Sequence, residues 1–166
     1  MKVLRCGLGL LFLTSLFGSA EEEVVSVRVA TYNLRNYLTM DRRVDGRYRP
    51  DYPKPEVEKS ALRKVIIEAD ADVLAVQEIG PLPYLEELRQ DLRAEGLDYP
   101  HIHLLEAADE ERHLGVLSRM APVADHSVEL LFFKYFGEEE AVKRGLIELV
   151  FEQAGHQWSL FVVHLK

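Results

Sequence analysis

The chain has 166 residues, of which 48% are hydrophobic and 29% are charged. A chain of this length forms one domain and buries roughly 70% of its extended surface on folding. This balance excludes disordered, collagen-like and multi-span membrane proteins.

Residues 1–20 have the features of a secretory signal peptide. A basic start at residues 1–5 precedes an apolar stretch at residues 6–17, and small residues follow at 18–20. We predict cleavage after Ala20, and hence a secreted or periplasmic protein. The alternative is an uncleaved anchor, but spanning a bilayer needs roughly 20 apolar residues. We therefore expect no stable membrane span after cleavage.

Cleavage would also change the charge balance. It would leave 18 basic residues against 28 acidic ones, a net charge of −10. Such a chain is not a general polyanion binder. The single cysteine, Cys6, lies inside the predicted signal. Disulfides, cysteine-ligated zinc and cysteine nucleophiles are thereby excluded from residues 21–166.

The hydrophobic pattern of the first half alternates between strand and helix. It predicts a strand over 25–33, a long loop over 39–55, a helix over 56–69, a strand buried on both faces over 73–76, and a helix over 82–95 that stops at Gly96. The loop is predicted because that stretch holds three prolines, one glycine and many charges.

The second half is predicted to be strands. Short strands are expected over 99–105 and 114–117, and a hairpin over 145–152 and 158–165 that turns near residues 154–155. The order of strands and helices indicates a mixed α/β layered fold.

Polar residues end three of these predicted strands. Asn33, Glu78 and His164 each follow an apolar run, and α/β sheets build their sites at that edge. A satisfied strand terminus is an equally good interpretation of each residue alone. Together their chemistry is complementary, because a carboxylate suits Mg²⁺ and a histidine exchanges protons near neutral pH. Water activated near a metal would then be the nucleophile.

Four motifs of the chain resemble the opening motifs of the endonuclease/exonuclease/phosphatase superfamily, and its secreted deoxyribonucleases in particular. In order they are TYNLRN (31–36), ADVLAVQEI (71–79), LGVLSR (114–119) and FVVHLK (161–166). The resemblance implies a four-layer α/β sandwich, dependence on Mg²⁺ or Mn²⁺, and hydrolysis of phosphodiesters or phosphomonoesters.

The resemblance also implies roles for individual residues. Glu78 would be the first metal carboxylate, and Asn33 would lie beside it at the metal and the phosphate. His164 would be the catalytic histidine and Glu111 the carboxylate that pairs with it. Arg144 would contact the phosphate. For Glu111 the alternative is a solvated loop carboxylate, because acidic residues surround it.

Two later motifs of the superfamily, Asp-x-Asn and Ser-Asp-His, do not occur in the 166 residues. We therefore interpret residues 21–166 as the N-terminal part of such a domain, a sandwich incomplete at its C-terminus. We expect this chain alone to be inactive, to expose an apolar sheet face and to be marginally stable or prone to aggregation.

The expected substrate is a phosphodiester, with nucleic acid as the first choice. A basic stretch with two tyrosines at residues 41–55 could contact a phosphate backbone and a base, or could be a solvated loop. Lipid headgroups and inositol phosphates fit the same residues, and a non-catalytic binding module is the alternative from another class. No obligate protein partner is evident.

The remaining histidines are expected to be structural. His101 and His103 share a face of a predicted strand, where packing or hydrogen bonding is favoured over metal binding. We expect His113, His126 and His156 to be isolated and exposed. The acidic run at 138–140 is predicted to be a solvated turn or the start of a short helix.

Overall fold

A computed structural model describes residues 26–164 of the chain, so the predicted signal peptide lies outside the described residues. Its elements, in chain order, are β1 (Val29–Tyr37), β2 (Met40–Val44), β3 (Arg47–Tyr52), α1 (Glu56–Ala69), β4 (Val73–Ile79), α2 (Leu82–Ala94), β5 (His101–Leu105), β6 (His113–Ser118), β7 (Ala124–Asp125), β8 (Phe132–Tyr135), β9 (Glu138–Ala141), β10 (Ile147–Gln153) and β11 (His156–Val162). No helix between residues 26 and 164 is long and apolar enough to cross a membrane.

Four strands form the central sheet in the order β1-β4-β6-β5. Strands β1 and β4 run parallel, with Asn33 opposite Gln77, so the ends of both strands reach the same edge of the sheet. Strands β6 and β5 add antiparallel partners. A parallel pair needs a crossover connection, and α1 lies within the segment that joins β1 to β4.

The two helices cover one face of this sheet. Leu62 and Ile66 of α1 join Leu88 of α2 and Leu74 and Val76 of β4 in one buried cluster. Helix α1 ends at Asp70, whose left-handed conformation lets its N–H reach the carbonyls of the last turn. The predicted helix over 56–69 is confirmed, and the second helix ends one residue before its predicted boundary.

A second sheet, in the order β11-β10-β7, covers the opposite face. Val73 and Ala75 of β4 contribute to a second buried cluster with Leu149 and Phe151 of β10 and Val162 of β11. Strand β4 is therefore buried on both faces, as its continuous apolar run predicted. The described residues thus build a layer of helices and two layers of sheet.

The outer face of the second sheet is only partly covered. Phe161 and Val163 are exposed, while Val162 between them is buried. Gln157 and Ser159, which share the face of β11 with Phe161, are exposed and polar, so the exposure of an apolar sheet face stays a prediction.

The prediction of a long loop over 39–55 was wrong, because strands β2 and β3 pair there as an antiparallel hairpin. Asp45 and Gly46 both have positive φ angles at its turn, which is the two-residue turn that the Asp-Gly sequence favours. Strands β8 and β9 form a second hairpin that the pattern did not predict. The acidic run at 138–140 is exposed as expected, but it lies in β9 rather than in a turn or a helix.

The histidines fall into two groups. His113 is 4% exposed, so its predicted exposure was wrong. It is the first residue of β6 and pairs with Ile79 of the neighbouring strand β4. His126 and His156 are exposed as expected. Nδ1 of His103 lies 3.3 Å from Oδ2 of Asp125, which is a polar contact of the kind expected for this side chain.

Candidate phosphate and metal site

Two site residues come from the parallel strands β1 and β4. Glu78 lies one residue before the end of β4, as expected, but the predicted end of the first strand at Asn33 was wrong, because β1 continues to Tyr37 beyond an irregularity that follows Asn33. The Asn33 amide donates a hydrogen bond from Nδ2 to Oε1 of Glu78 at 3.1 Å. The Asn33 Oδ1 atom accepts one from the backbone N–H of Arg35 at 2.8 Å. Asn33 is therefore held from both sides and fixes the orientation of the Glu78 carboxylate.

The backbone at Glu78 explains how its side chain reaches this edge. Glu78 has a φ of +58°, and the register of β4 is interrupted at this residue against both β1 and β6. A non-glycine residue rarely adopts a left-handed conformation inside a strand, and such positions concentrate at functional sites. Because of this interruption Glu78 pairs with neither β1 nor β6. Its side chain therefore need not follow the alternation of side-chain directions along the strand.

The third residue, His164, arrives from the second sheet. It follows β11, and its Nε2 lies 3.7 Å from Oε1 of Glu78. Both side chains are largely buried, with 15% of His164 and 13% of Glu78 exposed. The fold thus brings together Asn33, Glu78 and His164, which the sequence placed at three separate strand ends.

Arg144 is buried beside this group, with 5% of its surface exposed. Its Nη2 lies 3.0 Å from Oδ2 of Asp109. Its Nε is buried and has no hydrogen-bond partner among the described residues. A buried guanidinium that keeps a free donor is suited to an anionic ligand.

Asp109 is a site residue that the sequence analysis missed. Its Oδ1 accepts the backbone N–H groups of Arg112 and Glu111 at 3.0 and 3.1 Å. Burial of the Asp109 carboxyl opposes ionisation, but these two N–H groups and the Arg144 guanidinium outweigh it and lower its pKa below the ordinary value. The only sequence signal for Asp109 was an acidic residue two positions before Glu111. Three nearby acidic residues, Glu106, Glu110 and Glu111, gave no reason to single it out.

A cavity of about 840 Å³ opens next to His164. Three of its lining residues are cationic, and two are acidic, one of which is the Asp109 that pairs with Arg144. The other lining residues are mostly apolar or aromatic. The lining is formed by Asp109, Arg112, Phe133, Tyr135, Glu140, Ala141, Val142, Lys143, Arg144 and His164. This excess of cations is suited to a phosphate group.

Glu111 lies at the margin of this region. Its side chain is two-thirds exposed, and its Oε2 accepts a hydrogen bond from Nη1 of Arg112 at 2.7 Å. Arg112 also donates from Nε to Oδ1 of Asn36, again at 2.7 Å. The pairing of Glu111 with His164 stays a prediction.

The donors at Glu78 suit a hard divalent cation. Mg²⁺ usually takes one or two protein carboxylates and completes its octahedron with water and substrate phosphate. Glu78 offers one carboxylate, braced by Asn33. Within residues 26–164 no group of three or more His, Cys, Asp or Glu side chains is arranged to hold a metal. The Glu78 carboxylate therefore fits a cation of this kind.

Comparison with known proteins supports the fold. No family model matches the chain, and no curated protein sequence matches it. Among solved structures the chain is similar to an endonuclease/exonuclease/phosphatase family protein from Leptotrichia buccalis C-1013-b, with a TM-score of 0.58 and 16% identity. The fold is therefore an α/β sandwich of the endonuclease/exonuclease/phosphatase type, as predicted. The match covers 85% of this chain and 54% of that structure, so the chain spans about half of its length.

Proposed function

We propose that this chain carries part of the active site of a metal-dependent phosphoric ester hydrolase, with nucleic acid as its substrate. The observation that carries the proposal is the convergence of Asn33 and His164 on one oxygen of Glu78, at 3.1 and 3.7 Å. A carboxylate, an amide and a histidine are the groups needed to hold a cation and exchange a proton beside it. The fold of the structural neighbour supports the same class of reaction.

Each residue has a separate task in this proposal. Glu78 would hold Mg²⁺ or Mn²⁺, which when bound polarises a phosphoryl oxygen and lowers the pKa of water. Asn33 positions the Glu78 carboxylate. His164 would exchange a proton with the leaving group or the attacking water, a role typically worth about 10²–10⁴-fold in rate. Arg144 would bind the phosphate through its unused donor, and Glu111 would orient His164.

The β2–β3 hairpin supports a nucleic-acid substrate. Its Arg42 donates from Nη2 to the carbonyl oxygens of Asn36 and Leu38, which ties the hairpin to the end of the strand that carries Asn33. Arg43, Arg47 and Arg49 of this hairpin are exposed. Exposed arginines next to a phosphate site can contact successive phosphates of a polymer.

The proposal is tested by hydrolysis and by metal binding. We expect Mn²⁺ to bind the wild-type chain, and the Glu78→Gln variant to bind it at least about tenfold more weakly, because the charged ligand is lost. We also expect Mn²⁺-dependent hydrolysis of single-stranded DNA by the natural protein. His164→Ala should lower the rate of this hydrolysis, because His164 would exchange the proton. His156→Ala is the matched control and should leave the rate unchanged, since His156 is exposed at the far end of β11.

Other outcomes would assign a different function. Hydrolysis of glycerophosphocholine or inositol phosphates without DNA cleavage would move the substrate to lipid headgroups or inositol phosphates. Phosphate binding without hydrolysis by the natural protein would make the chain a binding module. Because Asp-x-Asn and Ser-Asp-His do not occur in these 166 residues, we expect the 166-residue chain alone to bind metal but turn over little substrate.

We also propose that the protein is exported and cleaved after Ala20. N-terminal sequencing of the exported protein would test this, and a mature protein that begins at Glu21 is the expected result.

A further inference from the structure

The β8–β9 hairpin exposes an unusual number of aromatic side chains. Phe132, Phe133 and Tyr135 are each about half exposed, and Phe136 at the turn is 92% exposed. Successive residues of a strand point to opposite faces. Phe133 and Tyr135 therefore share one face of the hairpin, and Phe132 lies on the other.

Only one of these two faces meets the candidate site. Phe133 and Tyr135 line the cavity that also holds His164 and Arg144, whereas Phe132 is not among its lining residues. The Phe133 and Tyr135 rings are 6.4 Å apart between centroids and inclined by 58°. A flat ring that stacks on one of them would meet the edge of the other, which is a favourable aromatic arrangement.

The cavity is therefore lined by both aromatic and cationic side chains. Arg112, Lys143 and Arg144 supply the positive charge. Glu140 is opposite Phe133 in the hairpin register and lines the same cavity. A carboxylate there can accept a hydrogen bond from the exocyclic amino group of a base such as cytosine.

We propose that Phe133 and Tyr135 form a stacking surface for the base of a nucleotide whose phosphate is bound by Arg144. This inference rests on the proposed function and assigns its substrate class: the ester carries a planar aromatic ring close to the phosphate. Stacking on an aromatic side chain tolerates any base, because each base has a flat face.

Insertion of the hairpin into a lipid surface is the competing interpretation, and two observations disfavour it. The three residues Glu138, Glu139 and Glu140 of β9 pair with Tyr135, Lys134 and Phe133. Carboxylates so close to the aromatic residues oppose burial in a bilayer. In addition, insertion of the tip would not explain why one aromatic face lines a cavity with cations.

The test measures binding by calorimetry on the full chain in EDTA, so that no turnover is needed. The probes are cytidine 5′-phosphate and ribose 5-phosphate, which differ only in the base. We expect cytidine 5′-phosphate to bind about tenfold more tightly. Phe133→Leu should remove most of this preference without changing the affinity for ribose 5-phosphate.

Phe132→Leu is the matched control, because Phe132 lies on the same strand with nearly the same exposure but faces away from the cavity. It should keep the preference, and an unchanged Tm should accompany both variants. Equal affinity for the two probes, or an equal loss in both variants, would overturn the inference. Binding to phosphatidylcholine vesicles that both variants weaken would overturn it in favour of lipid insertion.

The two proposals fail in different ways. Mn²⁺-dependent hydrolysis of single-stranded DNA, together with no preference for cytidine 5′-phosphate over ribose 5-phosphate, would reject the stacking surface alone. A preference for cytidine 5′-phosphate that depends on Phe133, together with no hydrolysis of any ester, would reject the hydrolase and leave a nucleotide-binding site.

Discussion

Two buried arginines, one on α1 and one beside the cavity, show how differently two regions of this molecule use the same side chain. Arg63, on α1, is 7% exposed and Arg144, beside the cavity, is 5% exposed. Arg63 contacts three carboxylates, those of Glu56, Asp91 and Glu95, at 2.6 to 3.0 Å. Arg144 contacts the single carboxylate of Asp109.

The difference separates a structural ion-pair network from a site that can accept a ligand. Each of the three guanidinium nitrogens of Arg63 donates to a carboxylate, and these bonds join α1 to α2. The Arg144 Nε has no partner among the described residues. A buried donor without a partner costs free energy, and a bound anion would recover it. The four predictions below test this contrast, in order of decreasing effect.

The largest effect is expected in the core beneath the helices. Leu88 is completely buried and Phe136 is 92% exposed. Leu88→Ala should lower the free energy of unfolding by about 2–5 kcal/mol, because it leaves a cavity. Phe136→Ala should change it by less than about 0.5 kcal/mol. Urea denaturation measures both, and equal losses would mean that the hairpin belongs to the stabilising core.

Replacing each arginine by methionine tests the contrast directly. Arg63→Met should destabilise the protein by about 1–2 kcal/mol, since three carboxylates lose their partner but are partly exposed to water. Arg144→Met should change stability less, and should weaken phosphate binding about tenfold. Thermal denaturation and phosphate titration of both variants distinguish these roles. A loss of phosphate affinity in Arg63→Met of the same size would contradict the assignment.

The Asp109–Arg144 pair predicts a smaller, pH-dependent effect. The folded state lowers the pKa of Asp109, so its ionised form stabilises the fold above the unfolded pKa of about 4. That stabilisation is lost as the pH falls through the folded value. We expect the Tm of Asp109→Asn to lie below that of wild type at pH 6, and the gap to close below about pH 4. A gap independent of pH would mean that charge is not involved.

The smallest effect on stability is expected at Glu111. Its side chain is two-thirds exposed and pairs with Arg112, and exposed pairs contribute about 0–1 kcal/mol. Glu111→Gln should therefore leave Tm nearly unchanged. If Glu111 orients His164, as the resemblance implies, kcat of the natural protein should fall at constant Tm. An unchanged kcat would remove Glu111 from the catalytic group.

Local pattern was enough to predict much of the fold and part of the site. The apolar spacing over 56–69 predicted α1, and the unbroken apolar run of β4 predicted burial on both faces. The polar ends of three strands predicted that Asn33, Glu78 and His164 would meet. In contrast, the prolines and charges over 39–55 predicted a loop. That prediction was wrong because cross-strand pairing and the Asp-Gly turn outweigh the weak strand propensity there.

The sequence by itself determined the two helices, the four strands of the central sheet, the β10–β11 hairpin and the residue types at the edge of the sheet. These properties depend on hydrophobic periodicity, which acts over a few residues. Only the tertiary structure decided that Asp109 holds Arg144, that Glu78 turns out of the strand ladder and that Phe133 faces the cavity. Such contacts join distant segments, and their geometry depends on how the two sheets and the hairpin pack together.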